Sequence, residues 1–227
     1  MKLRACTTAL SFAVLLCALA PTPAHPRQLA TVPHIGFLFS SDNPQGNVPV
    51  SPARLNAAQD NARLPMLGPA PPFALISSND KRVLLTDLRG KVLALTFVFT
   101  TCSDRCPILT ATMADIGRAL GSDFGPRVAF VAISVDPLND TPERLRDYAA
   151  AHRADGPGWF FLTGAPSDID AVVRRYGAYA KKSASGSVDH LFLTSLIDRA
   201  GRLRVQYLGV RFDPREMQRD LQLLLRE

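Results

Sequence analysis

The sequence predicts an α/β fold with a central mixed sheet flanked by helices and a short β extension at its N-terminal side. Three observations carry this. Two apolar runs rich in β-formers, KVLALTFVFT (91–100) and RVAFVAISV (127–135), read as buried central strands. Each is followed by a segment of helical periodicity, as strands joined by crossover helices require. The chain then closes with strand, turn, strand and helix, which adds antiparallel pairing to an otherwise parallel pattern.

Residues 1–24 stand apart from that fold. Lys2 and Arg4 precede an uncharged, mostly apolar run (5–20), and Ala18, Ala20 and Ala24 follow among prolines. This is the grammar of an export signal. The run is short for a membrane span, which takes about 20 residues, so a cleaved signal is the first reading, a short anchor the second and lipidation at Cys17 the third. Residues 25–65 read as a loosely ordered segment; PTPAHPRQ and DNPQGNVPVSP are linker-like, and GPAPP (68–72) ends the region.

One domain, 66–227, accounts for the rest. FALISS (73–78) and RVLLTDLRG suggest a short hairpin. After the first central strand, Pro107–Leu120 reads as a helix with Ile108, Leu109, Met113, Ile116 and Leu120 on its apolar stripe and Gly121 as its stop. Thr141, Pro142 and Glu143 signal the start of a helix over 140–152. Trp159–Leu162 is a third strand. Ser167–Tyr179 is a helix with Asp168 and Asp170 near its positive end. HLFLTSLID (190–198), the turn RAGR and LRVQYLG (203–209) form a returning pair of strands. Asp213–Leu225 closes the chain with Met217, Leu221, Leu224 and Leu225 on one side. The order resembles the thioredoxin fold with extra N-terminal strands.

Composition narrows the function. The formal charge is +6 and falls to +4 without residues 1–24. Basic residues are interspersed and form no stripe with aromatics, so a nucleic-acid role has no support. Cys6 and Cys17 lie in the signal, which leaves Cys102 and Cys106 as one thiol pair rather than a disulfide scaffold.

That pair sits in FVFTTCSDRCPIL, where the strand gives way to the helix. Unpaired amides and the helix dipole there favour thiolate over thiol. Thiolate both attacks disulfides and binds metal, so position alone leaves both jobs open. Residues four apart on a helical turn bring their Cβ atoms to roughly 5–6 Å, which suits two sulfurs on one soft ion at about 2.3 Å each and also permits a disulfide. Among the histidines, His25 and His34 fall in the loose segment, and His152 ends a helix, where a cation eases the dipole. His190 begins the strand HLFLTSLID, where a redox thioredoxin carries a proline and this chain has none. Two thiolates and one imidazole suit copper(I), and copper(II) with added oxygen ligands. Zinc would want a fourth ligand, with Asp136 or Asp189 as the only candidates.

TFVFTTCSDRCP, ISVDPLNDTPERL, FLTGAPSDIDAVVRRYG and DHLFLTSLID, in this order, resemble the Sco/SenC family of copper-binding proteins from about residue 66 onward. The resemblance implies a thioredoxin-like metallochaperone that delivers copper during cytochrome c oxidase assembly, with Cys102, Cys106 and His190 as metal ligands. It implies a supporting or docking role for Asp136, against the plainer reading of a turn residue before Pro137. The implied partner is the copper-bearing oxidase subunit or another copper chaperone. The implied location is the bacterial periplasm, either soluble or held at the inner membrane by the N-terminus. Two alternatives use the same thiols: a thiol–disulfide reductase that keeps the oxidase's copper-site cysteines reduced, with Cys102 and Cys106 as its redox pair, and a copper or redox sensor.

Overall fold

The computed structural model describes residues 64–182 and 188–227, so residues 1–24 and most of the 25–65 segment lie outside the described residues. An eight-stranded sheet runs in the order β1-β10-β9-β4-β5-β6-β2-β3. Its strands are β1 (Gly68–Pro69), β2 (Ala74–Ser77), β3 (Arg82–Leu84), β4 (Val92–Val98), β5 (Val128–Ser134), β6 (Trp159–Thr163), β9 (Leu193–Ile197) and β10 (Arg202–Leu208). A separate two-stranded ribbon pairs β7 (Ala180–Lys182) with β8 (Val188–His190). Strands β4, β5 and β6 are mutually parallel, and the remaining neighbours in the large sheet are antiparallel. The sheet is mixed, as the sequence predicts, with helices packed on both of its faces.

Why β4 and β5 lie at the centre follows from their composition. Every residue of both strands is buried, so both faces need cover. Val92, Ala94 and Val98 of β4 point to one face with Val128, Phe130 and Ala132 of β5. Leu93, Leu95 and Phe97 point to the other with Ala129, Val131 and Ile133, as the two-residue period of a strand requires. Helices α1 (Arg105–Ala119), α2 (Pro142–Ala151) and α4 (Pro214–Arg226) cover the first face through Leu109, Met113, Leu145, Met217 and Leu221. Helix α3 (Pro166–Arg175) and a 3-10 turn at Leu85–Leu88 cover the second.

Four expectations change. Ile108 does not join the apolar stripe of α1 but stands half exposed, while Cys106 and Thr110 take the buried positions. The helix begins two residues before Pro107, and Ile108 stands about 100° around it from Leu109. Helix α3 ends at Arg175 rather than Tyr179, because Gly177 takes a left-handed φ of 78° and turns the chain into β7. The strand expected over 190–198 is two strands. His190 closes β8, and β9 starts only at Leu193, with the Leu191 amide donating to the Tyr179 carbonyl (3.0 Å) between them. Residues 68–69, read as the end of a linker, instead form the edge strand β1 against Leu203 and Arg202.

This topology gathers one end of the sheet. The C-terminal ends of β4 and β5, the N-terminus of α1, the start of β9 and the end of β10 meet there, since Thr96 pairs with Thr194 and Leu193 with Leu208. Open α/β sheets place their ligands beyond the carboxyl ends of parallel strands.

Candidate functional site

The thiol pair is built by the way β4 passes into α1. The chain turns after Thr100, and the Cys102 amide donates to the Phe99 carbonyl (3.3 Å). Asp104 occupies the N-cap of α1 but its side chain caps nothing. The Cys102 sulfur supplies an acceptor instead, taking a hydrogen bond from the Cys106 amide at 3.3 Å. A helix N-terminus must satisfy its first amides from outside the helix, and here the Cys102 sulfur does part of that work. Both thiols are free.

Position in sequence suggests two activated thiols; the structure gives only one. For Cys102, partial burial works to raise the pKa, but the Cys106 and Asp104 amides, the Cys106 thiol and the Arg105 amide outweigh it and hold the pKa below its ordinary value. Cys106 is fully buried. Burial drives its thiol far above the ordinary range; the Phe99 backbone opposes this, and the negative charges of Cys102 and Asp140 add to it. Cys102 is therefore the more readily ionised of the two sulfurs, and burial favours the protonated form of Cys106.

His190 reaches the same end of the molecule from β8, with Ala180 of β7 as its partner across the ribbon. Its imidazole is buried between Phe99, at a ring-centroid distance of 5.4 Å and near-perpendicular, and Phe192, at 4.1 Å. Phe99 lies three residues before Cys102, and the Arg105 guanidinium lies 5.8 Å from the Phe192 ring centre. Burial lowers the His190 pKa and the Arg105 charge adds to that, while the Leu191 backbone and the Asp189 carboxylate oppose it. The ring is thus held neutral, the form in which imidazole binds metals. Neither Nδ1 nor Nε2 has a hydrogen-bond partner among the described residues; the only other buried side-chain polar atom so placed is Thr163 Oγ1. Buried polar groups normally find partners, so an imidazole with both nitrogens unsatisfied is poised for a ligand.

The structure brings these three side chains to one end of the sheet but does not close them into a ligand set. Among the described residues, no three His, Cys, Asp or Glu side chains stand close enough to hold one ion. The other candidates separate. Asp136 is buried and shapes the turn after β5: its Oδ2 accepts from Asn139 Nδ2 (2.7 Å), and its amide donates to Ser134 Oγ (3.1 Å). Asp189 is exposed, across the ribbon from Lys181. His152 caps the C-terminus of α2, stacks on Tyr148 at 4.1 Å and places Nδ1 2.8 Å from the Tyr148 carbonyl oxygen. His25 and His34 lie outside the described residues.

Sequence reasoning missed Asp140. This carboxylate is fully buried and gathers three donors: the Thr100 amide (3.1 Å), Thr100 Oγ1 (2.5 Å) and Ser134 Oγ (2.5 Å). It ties the ends of β4 and β5 together directly beneath the cysteine loop. The available signal was redundancy. Thr141 already caps α2 by accepting from the Arg144 amide, so the acid before it is left for another task.

The comparisons with known proteins agree with one another. The SCO1/SenC family profile matches residues 66–226. A SCO1/SenC family lipoprotein from Bacillus anthracis superposes with a TM-score of 0.64 at 30% identity, over 69% of this chain and 95% of that one. Copper-bound ScoI of Arabidopsis thaliana gives 0.61 at 31% identity, over 70% and 99%. BsSco, described as a member of the Sco family of cytochrome c oxidase assembly proteins with a disulfide switch, gives 0.64 at 29% identity, over 72% and 98%. With its thiol pair at the β4–α1 junction, its buried histidine on β8 and a family match across most of its length, the chain belongs to the SCO1/SenC family.

Proposed function

We propose that this protein is a copper metallochaperone whose domain 66–227 takes up one copper ion through Cys102, Cys106 and His190 and passes it on during cytochrome c oxidase assembly. The observation that carries the reading is the buried His190 ring, with no hydrogen-bond partner for either nitrogen among the described residues, at the same end of the sheet as two free thiols. The donor set is soft, as copper requires. A Sco protein solved with copper bound and another described as an oxidase assembly protein share the fold.

The side chains divide the work. Cys102, already biased to thiolate, makes the first bond to the cargo. Cys106 follows by releasing its proton, so uptake is favoured as pH rises. His190 completes the set through a small approach of β8 toward the cysteine loop. Asp136 supports the site by fixing the turn after β5 or serves in docking. Release runs in reverse: the acceptor's ligands replace these three one at a time, each new bond offsetting the one it breaks. The acceptor is the copper-bearing oxidase subunit or another copper chaperone. The chain acts after export to the periplasm, where the 1–24 segment serves as signal or anchor; a related lipoprotein supports membrane attachment. No helix among the described residues is long and apolar enough to cross a membrane.

Copper titration of the reduced protein, followed by X-ray absorption, tests this. One copper per chain with two sulfurs and one nitrogen is expected, and Cys106→Ala should lose stoichiometric binding. A Cys106→Ala protein that keeps one tight copper sinks the proposal. The asymmetry of the thiols favours one second reading, a thiol–disulfide reductase in which Cys102 attacks and Cys106 resolves. Full activity in a His190→Ala strain would favour that reading.

A further inference from the structure

Beside the candidate site lies an open groove of about 400 Å³, lined by Arg105, Ile108, Phe192, Leu208, Val210 and Arg211, with Asp104 and Gly209. Ile108 is 48% exposed and Leu208 69%. Leu138, in the turn after β5, and Tyr179, just before β7, are exposed as well. Four of the seven exposed large hydrophobic residues among the described ones therefore stand at this end of the sheet. Scattered exposed hydrophobics need no explanation, but a group of them around a functional site marks an interaction surface. Phe192 makes the groove part of the site: it contributes to the groove lining and packs against the His190 ring.

The charges select the occupant. Asp104 is the only acid in the lining, and it is already 3.9 Å from Arg105. Arg211 makes no ion pair among the described residues. The groove therefore offers an apolar floor with a net positive rim, a composition found in protein interfaces, where aromatic side chains and arginine are enriched. Recognition of an anionic membrane surface draws on clusters of about four to eight basic residues, and this groove has two, in a concavity.

Building on the copper-transfer reading, we infer that this groove docks the copper acceptor, a protein that presents an apolar side chain flanked by carboxylates next to its own metal ligands. An apolar side chain seats between Ile108 and Leu208 while its carboxylates face Arg211 and Arg105. Docking there places the acceptor against Phe192, on the wall of the His190 pocket, where ligand exchange has the shortest distance to cover.

The test measures association of the copper-free protein with the copper-free soluble domain of a cytochrome c oxidase copper-bearing subunit, by calorimetry and stopped flow. Ile108→Glu and Leu208→Glu should each weaken binding about tenfold or more, as loss of a central apolar anchor does. Arg211→Glu should slow association about tenfold at low salt, with the difference shrinking as salt rises. All three variants should melt as the wild type does and bind one copper with unchanged affinity. Wild-type association that none of the three substitutions alters overturns the inference, as does a complete lack of association by the wild type. So does a finding that the same residues are needed for binding to phosphatidylglycerol vesicles rather than to the domain. Because association is read without copper, a separate copper titration judges the chaperone reading independently.

Discussion

Asp136 and Asp140 aside, the two ends of the sheet treat buried polar groups in opposite ways. At the end away from the thiols, Arg204 of β10 is 3% exposed and fully engaged. It pairs with Asp198 at 3.1 Å and with Glu227 at 2.6 Å, and its Nε donates to the Pro65 carbonyl at 2.9 Å. Asp198 is also held by Arg202 at 2.8 Å and by the Ala200 and Arg202 amides. At the thiol end, His190 has no hydrogen-bond partner among the described residues, and Cys106 is a buried thiol beside two negative groups. One end spends its polar groups on holding the chain together, and the C-terminal helix and the segment at Leu64–Pro65 are pinned there. The other end carries unsatisfied groups that a folded protein tolerates where a ligand will answer them.

Breaking the satisfied end should cost most. Arg204→Met leaves Asp198 buried against one remaining arginine and frees the tail, and loss of one partner from a buried ionic network costs about 3–5 kcal/mol. Urea unfolding should show that loss while copper stoichiometry stays at the wild-type value. A loss under 1 kcal/mol would mean that the two ends do not differ in the way described. Asp140→Asn comes next. It removes the charge that Thr100 and Ser134 donate to, and hydrogen bonds to a charged group are worth about 1.5–3 kcal/mol. Since Asp140 sits under the cysteine loop, this variant should also change the rate at which Cys102 reacts with iodoacetamide. Loss of stability without any change in that rate would make Asp140 a strut for β4 and β5 alone.

The contrast also explains what the sequence makes legible. Strands β4 and β5 announce themselves because burial on both faces demands unbroken apolar runs. The starts of α2 and α4 are readable because Thr141 and Asp213 cap them locally. Cys102 at the strand–helix junction follows from the same local rules. What failed was non-local. The β7–β8 ribbon depends on pairing between Ala180 and His190, and no periodicity in three-residue strands reveals it, so sequence pattern puts His190 on the strand that follows β8. Ile108 lies off the stripe of α1 because it stands one residue, about 100° of helical turn, from Leu109. The divergence of the two thiols depends on how deeply each is buried, which their spacing does not encode.

Removing the unsatisfied group should have the opposite sign to removing a satisfied one. His190→Leu replaces a buried ring that has no partner among the described residues with an apolar side chain, and burying an unsatisfied polar group costs about 1–3 kcal/mol in proteins. The copper-free variant should therefore be as stable as the wild type or more stable by about 1 kcal/mol, while copper affinity falls sharply. A destabilised copper-free His190→Leu protein would show that the imidazole has a structural partner and would remove the contrast.

The smallest effect is the separation of the two ends by pH. The His190 pKa is depressed in the folded protein below its ordinary 6.5, chiefly by burial. The unfolded chain therefore binds that proton first, and the stability tied to the neutral ring is complete above 6.5 and declines as pH falls toward the folded value. Asp198 is also depressed, from an ordinary 3.8: burial works to raise it, but the Arg202 amide and guanidinium and the Arg204 side chain outweigh that. Its contribution is complete above 3.8 and is lost only as pH falls through its lower folded value. Stability of the copper-free protein should thus decline in two stages, a shallow one below 6.5 that His190→Leu abolishes and an acid one below 3.8 that Asp198→Asn abolishes. Thermal melts from pH 8 to pH 3 would show both. If His190→Leu leaves the upper stage in place, that stage belongs to another group, and the thiol end is not the source of the mild-acid sensitivity.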